Sequence, residues 1–237
     1  MAKKPVKRAE RVEVAYEERR WQLLDQLRSK AVDIMETLDN QHLRSIVHGS
    51  IARGDVSETS DIDVFLPDPP SSFILETYLE QSGIRGYSRT IVQATPLYAL
   101  KGYIELDQQI SLSFPLVKLR PVEKDFYRFG GEASLSILKE EKRVSGVDKR
   151  LMLIEPTADG HVESAVVSQE EAVANLLGVS LNTVLDRVRA LIRRDEVGRT
   201  GVFIEKELAP DETFEQALKH LADQNPAVRR RTKFYQK

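Results

Sequence analysis

The stretch that most constrains this chain is SIVHGSIARGDVSETSDIDVFLPDPP, residues 45–70. An apolar run enters a glycine–serine pair. A polar spacer follows, and aspartates then alternate with apolar residues until three prolines close the run. Period-two alternation is a strand pattern, with Asp61 and Asp63 on one face and Ile62 and Val64 on the other. Proline cannot donate to a ladder, so the strand ends at Pro67. The fold must therefore turn sharply at the end of one strand and leave one face of the next strand polar. Gly49 removes a side chain at that turn, where a phosphate can approach the peptide N–H groups, and Ser50 adds a hydroxyl donor. Two ionised carboxylates on one face repel each other unless a cation lies between them. A hard divalent ion, Mg2+ or Mn2+, relieves that repulsion and also takes phosphate oxygens. Arg53 either reaches a phosphate or pairs with Asp55. His48, just before the turn, reads as a packed strand residue.

Composition narrows the chemistry. The chain has 237 residues, 41% of them apolar and 30% charged, with a formal net charge of −2. That length suits one large or two modest domains. The absence of cysteine excludes disulfides and thiolate metal sites. Only 4 histidines are present, so any metal site is expected to be oxygen-ligated. The chain has no apolar run of membrane-spanning length and no apolar signal core, which points to a cytoplasmic protein without membrane contact. Basic residues gather at both ends, as Lys3, Lys4, Lys7 and Arg8 and again as Arg229, Arg230, Arg231 and Lys233. Such runs are solvated tails or contacts for RNA or DNA.

Along the chain, residues 12–39 read as one amphipathic helix, with Trp21, Leu24, Leu27, Ala31, Ile34 and Leu38 at spacings of three and four. Ser71 or Ser72 caps a helix through Gln81 that Gly83 ends. Residues 87–117 are β-rich, and a hairpin turns near Asp107 and Gln108. EKDFYRFGGEASLSILKEEK suggests two short helices broken at Gly130 and Gly131, and RVSGVDKR marks a domain boundary. RLMLIEP is strand-like. Beyond it a helix holds Val173, Ala174 and Leu177, Gly178 supplies a turn, and Ser180 caps a second helix with Val184, Val188 and Leu191 on its inner face. VGRTGVFIE then reads as a small hairpin, which completes the order helix, turn, helix, wing. A last helix covers about residues 211–223.

The glycine–serine pair, the ten-residue spacer and the Asp-x-Asp strand resemble the signature of the DNA-polymerase-β-like nucleotidyltransferase superfamily. Arg53, Gly54, Ser60 and Ile62 fit the same local pattern, and the likeness covers roughly residues 40–120. The resemblance implies an α+β fold, a mixed sheet flanked by helices, here with an added small winged-helix domain. It implies an enzyme that moves a nucleoside monophosphate from an NTP to a hydroxyl acceptor on RNA, protein or a small molecule. Gly49 and Ser50 would hold the triphosphate, and Asp61 and Asp63 would ligate magnesium. The expected division is a basic tail over 1–11, a nucleotidyltransferase domain over 12–143, a winged-helix domain over 144–224 and a basic tail over 225–237.

One departure stands out. Active members of the superfamily carry a third carboxylate on a neighbouring strand. The strand QISLSFPLV offers Ser111 and Ser113 at those positions instead. Glu105 shares a face with Lys101 and Tyr103 and is the substitute acid, whereas Asp107 reads as a turn residue. Without a third acid, the alternative is a catalytically weak regulator that binds nucleotide or nucleic acid. The second helix of the C-terminal pair would offer Asn182, Arg187 and Arg189 to nucleic acid, with Arg199 near the wing. Such modules also serve as protein or homo-oligomer interfaces.

Overall fold

The computed structural model describes residues 4–6, 11–198 and 201–233. Contacts gather the chain into two compact units, each discontinuous in sequence. One draws on Met1–Asp33, Ile46–Ser60 and Lys124–Thr200, the other on Ile34–Ser45, Asp61–Glu123 and Gly201–Lys237. The linear division at residue 144 differs from this grouping, because the chain passes between the units several times.

The first unit holds a four-stranded sheet and a further pair of strands. β1 (Val12–Ala15), β8 (Gly146–Val147), β9 (Met152–Thr157) and β10 (Gly160–Ala165) pair antiparallel in the order β1-β10-β9-β8. Residues 12–15 are therefore not the start of the helix expected over 12–39. That helix, α1, runs Glu18–Asp39, and Val12–Ala15 pair with β10 instead. RVSGVDKR, read as a boundary, contains strand β8, and the β9–β10 hairpin is only half legible from RLMLIEP. The further pair is β2 (Ile46–His48), antiparallel with β7 (Glu132–Ser134). Between its strands in sequence come α2 (Ser50–Arg53) and α4 (Pro121–Gly130), and α5 (Leu135–Lys139) follows β7.

α6 (Glu170–Leu177) and α7 (Leu181–Val197) form the expected helix pair. Gly178 turns the chain in the left-handed region (φ 62°), and Ser180 accepts from Thr183 N as the cap of α7. Val184, Val188 and Leu191 pack inward against Phe129, Val147, Leu151 and Leu153. Asp125 on α4 accepts from Ser180 N and from the buried Thr183 hydroxyl, both at 3.1 Å, and from Arg128 at 3.0 Å. A carboxylate thus satisfies two donors at the start of α7, the Ser180 N–H and the Thr183 hydroxyl.

The second unit is a sheet of β11 (Ile204–Glu207), β4 (Ser88–Gln93), β5 (Lys101–Glu105), β6 (Ile110–Pro115) and β3 (Ile62–Phe65), in the order β11-β4-β5-β6-β3. β3 and β6 run parallel and the other neighbours antiparallel, so the sheet is mixed as expected. One face is apolar, with Val64, Leu112, Phe114, Ile104 and Ile91 buried. Phe114 meets Phe214 of α8 (Phe214–Gln224) with ring centroids 5.1 Å apart. Gly102 leaves room for both rings, since a Cβ there would lie 2.6 Å from Phe114 and 2.9 Å from Phe214. α3 (Ser72–Gln81) is tied to α8 where Ser72 N and Oγ donate to Glu215 at 2.9 and 2.7 Å. Its cap position is Ser71, and Gly83 follows it with φ 77°. Asp107 is the turn residue between β5 and β6, where its Oδ1 accepts from Gln109 N and Ile110 N.

Two C-terminal expectations change. The segment read as a wing does not close a hairpin among the described residues. Ile204–Glu207 pair antiparallel with β4 instead, because that edge offers a full ladder to a strand with only four residues. The basic end read as a tail from residue 225 contains a further helix, α9 (Pro226–Lys233), pinned by Arg231, which donates to Lys118 O and Glu123 at 2.8 Å. No helix among the described residues is long and apolar enough to cross a membrane.

Candidate functional site

The glycine–serine turn belongs to the first unit. Gly49 has φ 79°, a conformation that L side chains rarely adopt, and a Cβ placed there would meet nothing within 4 Å. The glycine is therefore required by backbone shape, and the space in front of it is open. Its N–H is held by Gly131 O at 2.9 Å. Ser50 Oγ donates to Ser60 Oγ at 3.1 Å, and Ser60 Oγ also accepts from Ser57 N at 3.0 Å, so the spacer folds back on the turn. Gly54 closes α2 with φ 95°, and Arg143 passes so close that a Cβ there would lie 2.3 Å from its Cδ.

Arg53 is buried. It donates to Gly130 O at 2.5 Å and to Asp55 at 3.0 Å. Of the two roles left open for it, the pairing with Asp55 is the one present, and the pair is inside the unit rather than on its surface. Gly131 is small for this reason, since a Cβ there would lie 2.7 Å from Arg53 Cγ. His48 is a packed strand residue, with its ring 5.0 Å from Tyr127 and 6.2 Å from Phe126.

The carboxylates belong to the second unit, on the polar face of its sheet. Asp61 directly precedes β3 and is exposed, while Asp63 is half-buried within the strand. Strand register then settles what lies beside Asp63. Ser111 is its partner on β6, and Glu105 is the partner of Ser111 on β5. Asp63, Ser111 and Glu105 thus form one row on one face. Ser111 Oγ donates to Asp63 Oδ1 at 2.9 Å. Glu105 stands two strands away, roughly 10 Å between backbones at the usual strand spacing, and accepts from Tyr87 Oη at 2.8 Å. The next row holds Phe65, buried Ser113 and Tyr103. Burial, with the Asp63 charge adding to it, pushes the Tyr103 phenol up to about 12.

The donor set fits a hard divalent cation in part. Asp61 and Asp63 supply two carboxylates of the right class, and a bound nucleotide would have to complete the coordination with phosphate oxygens. Among the described residues no group of three or more His, Cys, Asp or Glu side chains is placed to hold a metal ion.

Two residues near the turn escaped the sequence reading. Glu132 pairs with His48 across β2 and β7, and its carboxyl is held above the ordinary range chiefly by burial. Arg28 on α1 is 6% exposed and grips the backbone of α2. Its signal was present, because it falls on the stripe of Leu24, Ala31 and Met35, where an apolar residue is expected. Of the expected nucleic-acid contacts, Asn182 and Arg189 are exposed on α7, whereas the Arg187 guanidinium lies 4.8 Å over the Phe126 ring. Arg199 lies outside the described residues.

No curated protein and no solved structure gives a significant match to the chain. A family model does match, described as a nucleotidyltransferase domain and covering residues 28–150, a little over half of the chain. That span contains the glycine–serine turn, the aspartate pair and the mixed strands that carry them, and the chain belongs to the nucleotidyltransferase domain family.

Proposed function

We propose that this chain binds a nucleoside triphosphate with Mg2+ (or Mn2+) and transfers its nucleotidyl group to a hydroxyl acceptor. The observation that carries the reading is the aspartate pair. Asp63 stands on the polar face of β3, and the exposed Asp61 immediately precedes it. Asp61 and Asp63 would hold the metal, which when bound neutralises charge on the triphosphate and on the departing pyrophosphate. Gly49 shapes the turn and leaves open space for the phosphates, its own N–H staying on Gly131 O, and Ser50 offers its hydroxyl to them. Arg53 acts from behind, by fixing the turn against Gly130, rather than as a phosphate ligand. Calorimetry with each NTP and magnesium, on the natural chain and on an Asp61→Asn/Asp63→Asn variant, tests this. Binding is expected in the first and a loss of at least about tenfold in the second, since a hard cation loses both its charged ligands. Equal affinities remove the pair from the site.

A second reading, a nucleotide-binding regulator with little or no transfer, is favoured by Ser111. Its hydroxyl occupies the position beside Asp63 where a further acid would assist the acceptor. Glu105 is the nearest substitute on that face and is engaged by Tyr87. Incubation with labelled NTPs and RNA, protein or small-molecule acceptors separates the readings. Transfer that disappears in Glu105→Gln supports the enzyme with Glu105 as its third acid. Tight binding without pyrophosphate release supports the regulator. An RNA or DNA partner would meet Asn182 and Arg189 on α7, and a salt series of gel shifts reads out that contact.

A further inference from the structure

Arg28 is a charged residue in a place built for an apolar one. Its Nε donates to Ile51 O at 3.0 Å, its Nη2 to Ala52 O at 3.0 Å and its Nη1 to Lys142 O at 2.9 Å. All three bonds end on main-chain carbonyls, while Asp25 and Glu141 act on it only through space. Burial, with the Arg143 charge adding to it, lowers its pKa to about 10, so it remains a cation at neutral pH. Withdrawing such a charge from water is unfavourable, and an unbranched apolar side chain would fill the same volume without that penalty. Two of the gripped carbonyls belong to α2, the four-residue turn that begins at Ser50. Arg53 secures the same turn from its far end through Gly130 O and Asp55.

We infer that Arg28 is a positioning residue for the triphosphate, clamping Ile51 and Ala52 so that the Gly49–Ser50 turn keeps its shape and placing a positive charge behind it. The inference rests on the proposed reading in which that turn takes the phosphates. Arg28 does not touch the nucleotide. It acts through the turn and through its field, which reaches through protein more strongly than through water. Its effect therefore grows with the number of phosphate charges, whereas a purely structural brace affects all ligands of the turn alike.

The test uses the full chain with Arg28→Met and Arg28→Lys, titrated with the magnesium complexes of a nucleoside tri-, di- and monophosphate and with inorganic tripolyphosphate. Titrations are run at low and high salt, and circular dichroism monitors the fold. Arg28→Met is expected to lose about tenfold in triphosphate and tripolyphosphate affinity and progressively less for the di- and monophosphate. Arg28→Lys keeps the charge but not the three-carbonyl grip, and is expected to lose about threefold evenly across the series. Equal losses across the series in Arg28→Met, or unchanged triphosphate affinity, overturn the inference. If Arg28→Met does not fold, Arg28→Gln, also uncharged, takes its place and must show the grading. A natural chain that binds none of the four phosphates overturns the nucleotide reading and this inference with it. Binding by the natural chain with an ungraded uncharged variant overturns this inference only.

Discussion

Ser111→Asp puts the carboxylate face under the most direct strain. Ser111 and Asp63 are partners on parallel strands, and their side-chain oxygens are 2.9 Å apart. An aspartate in place of the serine sets a second carboxylate beside the first. Two like charges about 4 Å apart repel by about 4 kcal/mol at an effective dielectric of about 20, and by about 1 kcal/mol in bulk water. Asp63 is half-buried, so the cost falls between these limits, about 2 kcal/mol. The lost hydroxyl hydrogen bond adds roughly 1 kcal/mol. In a chain of this length each kcal/mol moves Tm by about 2–4 °C, so the variant is expected to melt about 6–12 °C lower in EDTA. A divalent ion at about a hundred times its Kd returns about 2.7 kcal/mol. Thermal melts of the natural chain, Ser111→Asp and the uncharged Ser111→Asn, each in EDTA and in Mn2+, read out the whole scheme. Ser111→Asn should show neither the charge penalty nor an enhanced metal response. A Ser111→Asp variant that melts like the natural chain in EDTA, or that manganese does not rescue, would refute the placement of Asp63 and Ser111 on one cation-binding face.

Removing Asp125 should loosen α7. Asp125→Ala strips the cap from Ser180 N and leaves the buried Thr183 hydroxyl without its carboxylate, so chemical denaturation should show a loss of about 2–4 kcal/mol. Two glutamates should show opposite pH behaviour. Burial works against the charge of Glu163, but hydrogen bonds and charge from Arg150 and His161 hold its carboxyl below the usual range. Its contribution is present above the unfolded value of 4.5 and is lost as pH falls below it, so the deficit of Glu163→Gln should close on acidification. Glu132 is held above 4.5 by burial, so the folded state retains its proton longer than the unfolded state does. The natural chain therefore loses stability as pH rises from 4.5 through the raised value. Glu132→Gln should match it at pH 4 and exceed it at pH 7 in denaturant midpoints. The absence of any pH dependence in either difference counts against the assigned environment.

Local pattern alone was enough for the aspartate strand, the Ser71-to-Gln81 helix, the Asp107 turn and the Gly178–Ser180 junction. Each is governed by residues within a few positions of itself: an alternation, a cap, or a glycine at positive φ. The grouping of Gly49, Ser50, Asp61 and Asp63 as one chemical unit is a reading of the sequence that belongs to the proposed function. The sequence could not say that Val12–Ala15 is a strand, because a short edge strand is stabilised by its partner β10, about 150 residues away. It suggested a hairpin over residues 197–205 and could not say that Ile204–Glu207 pair with β4, since a ladder forms with whichever edge tertiary packing presents. Strand register was likewise a tertiary decision. It put Ser111 beside Asp63 and moved Glu105 one strand further out, and spacing along the chain carries no information about that order. Arg28 belongs to both accounts. Its place on an apolar stripe could be read from the sequence, but the three carbonyls that explain it come from segments that meet only when the chain folds.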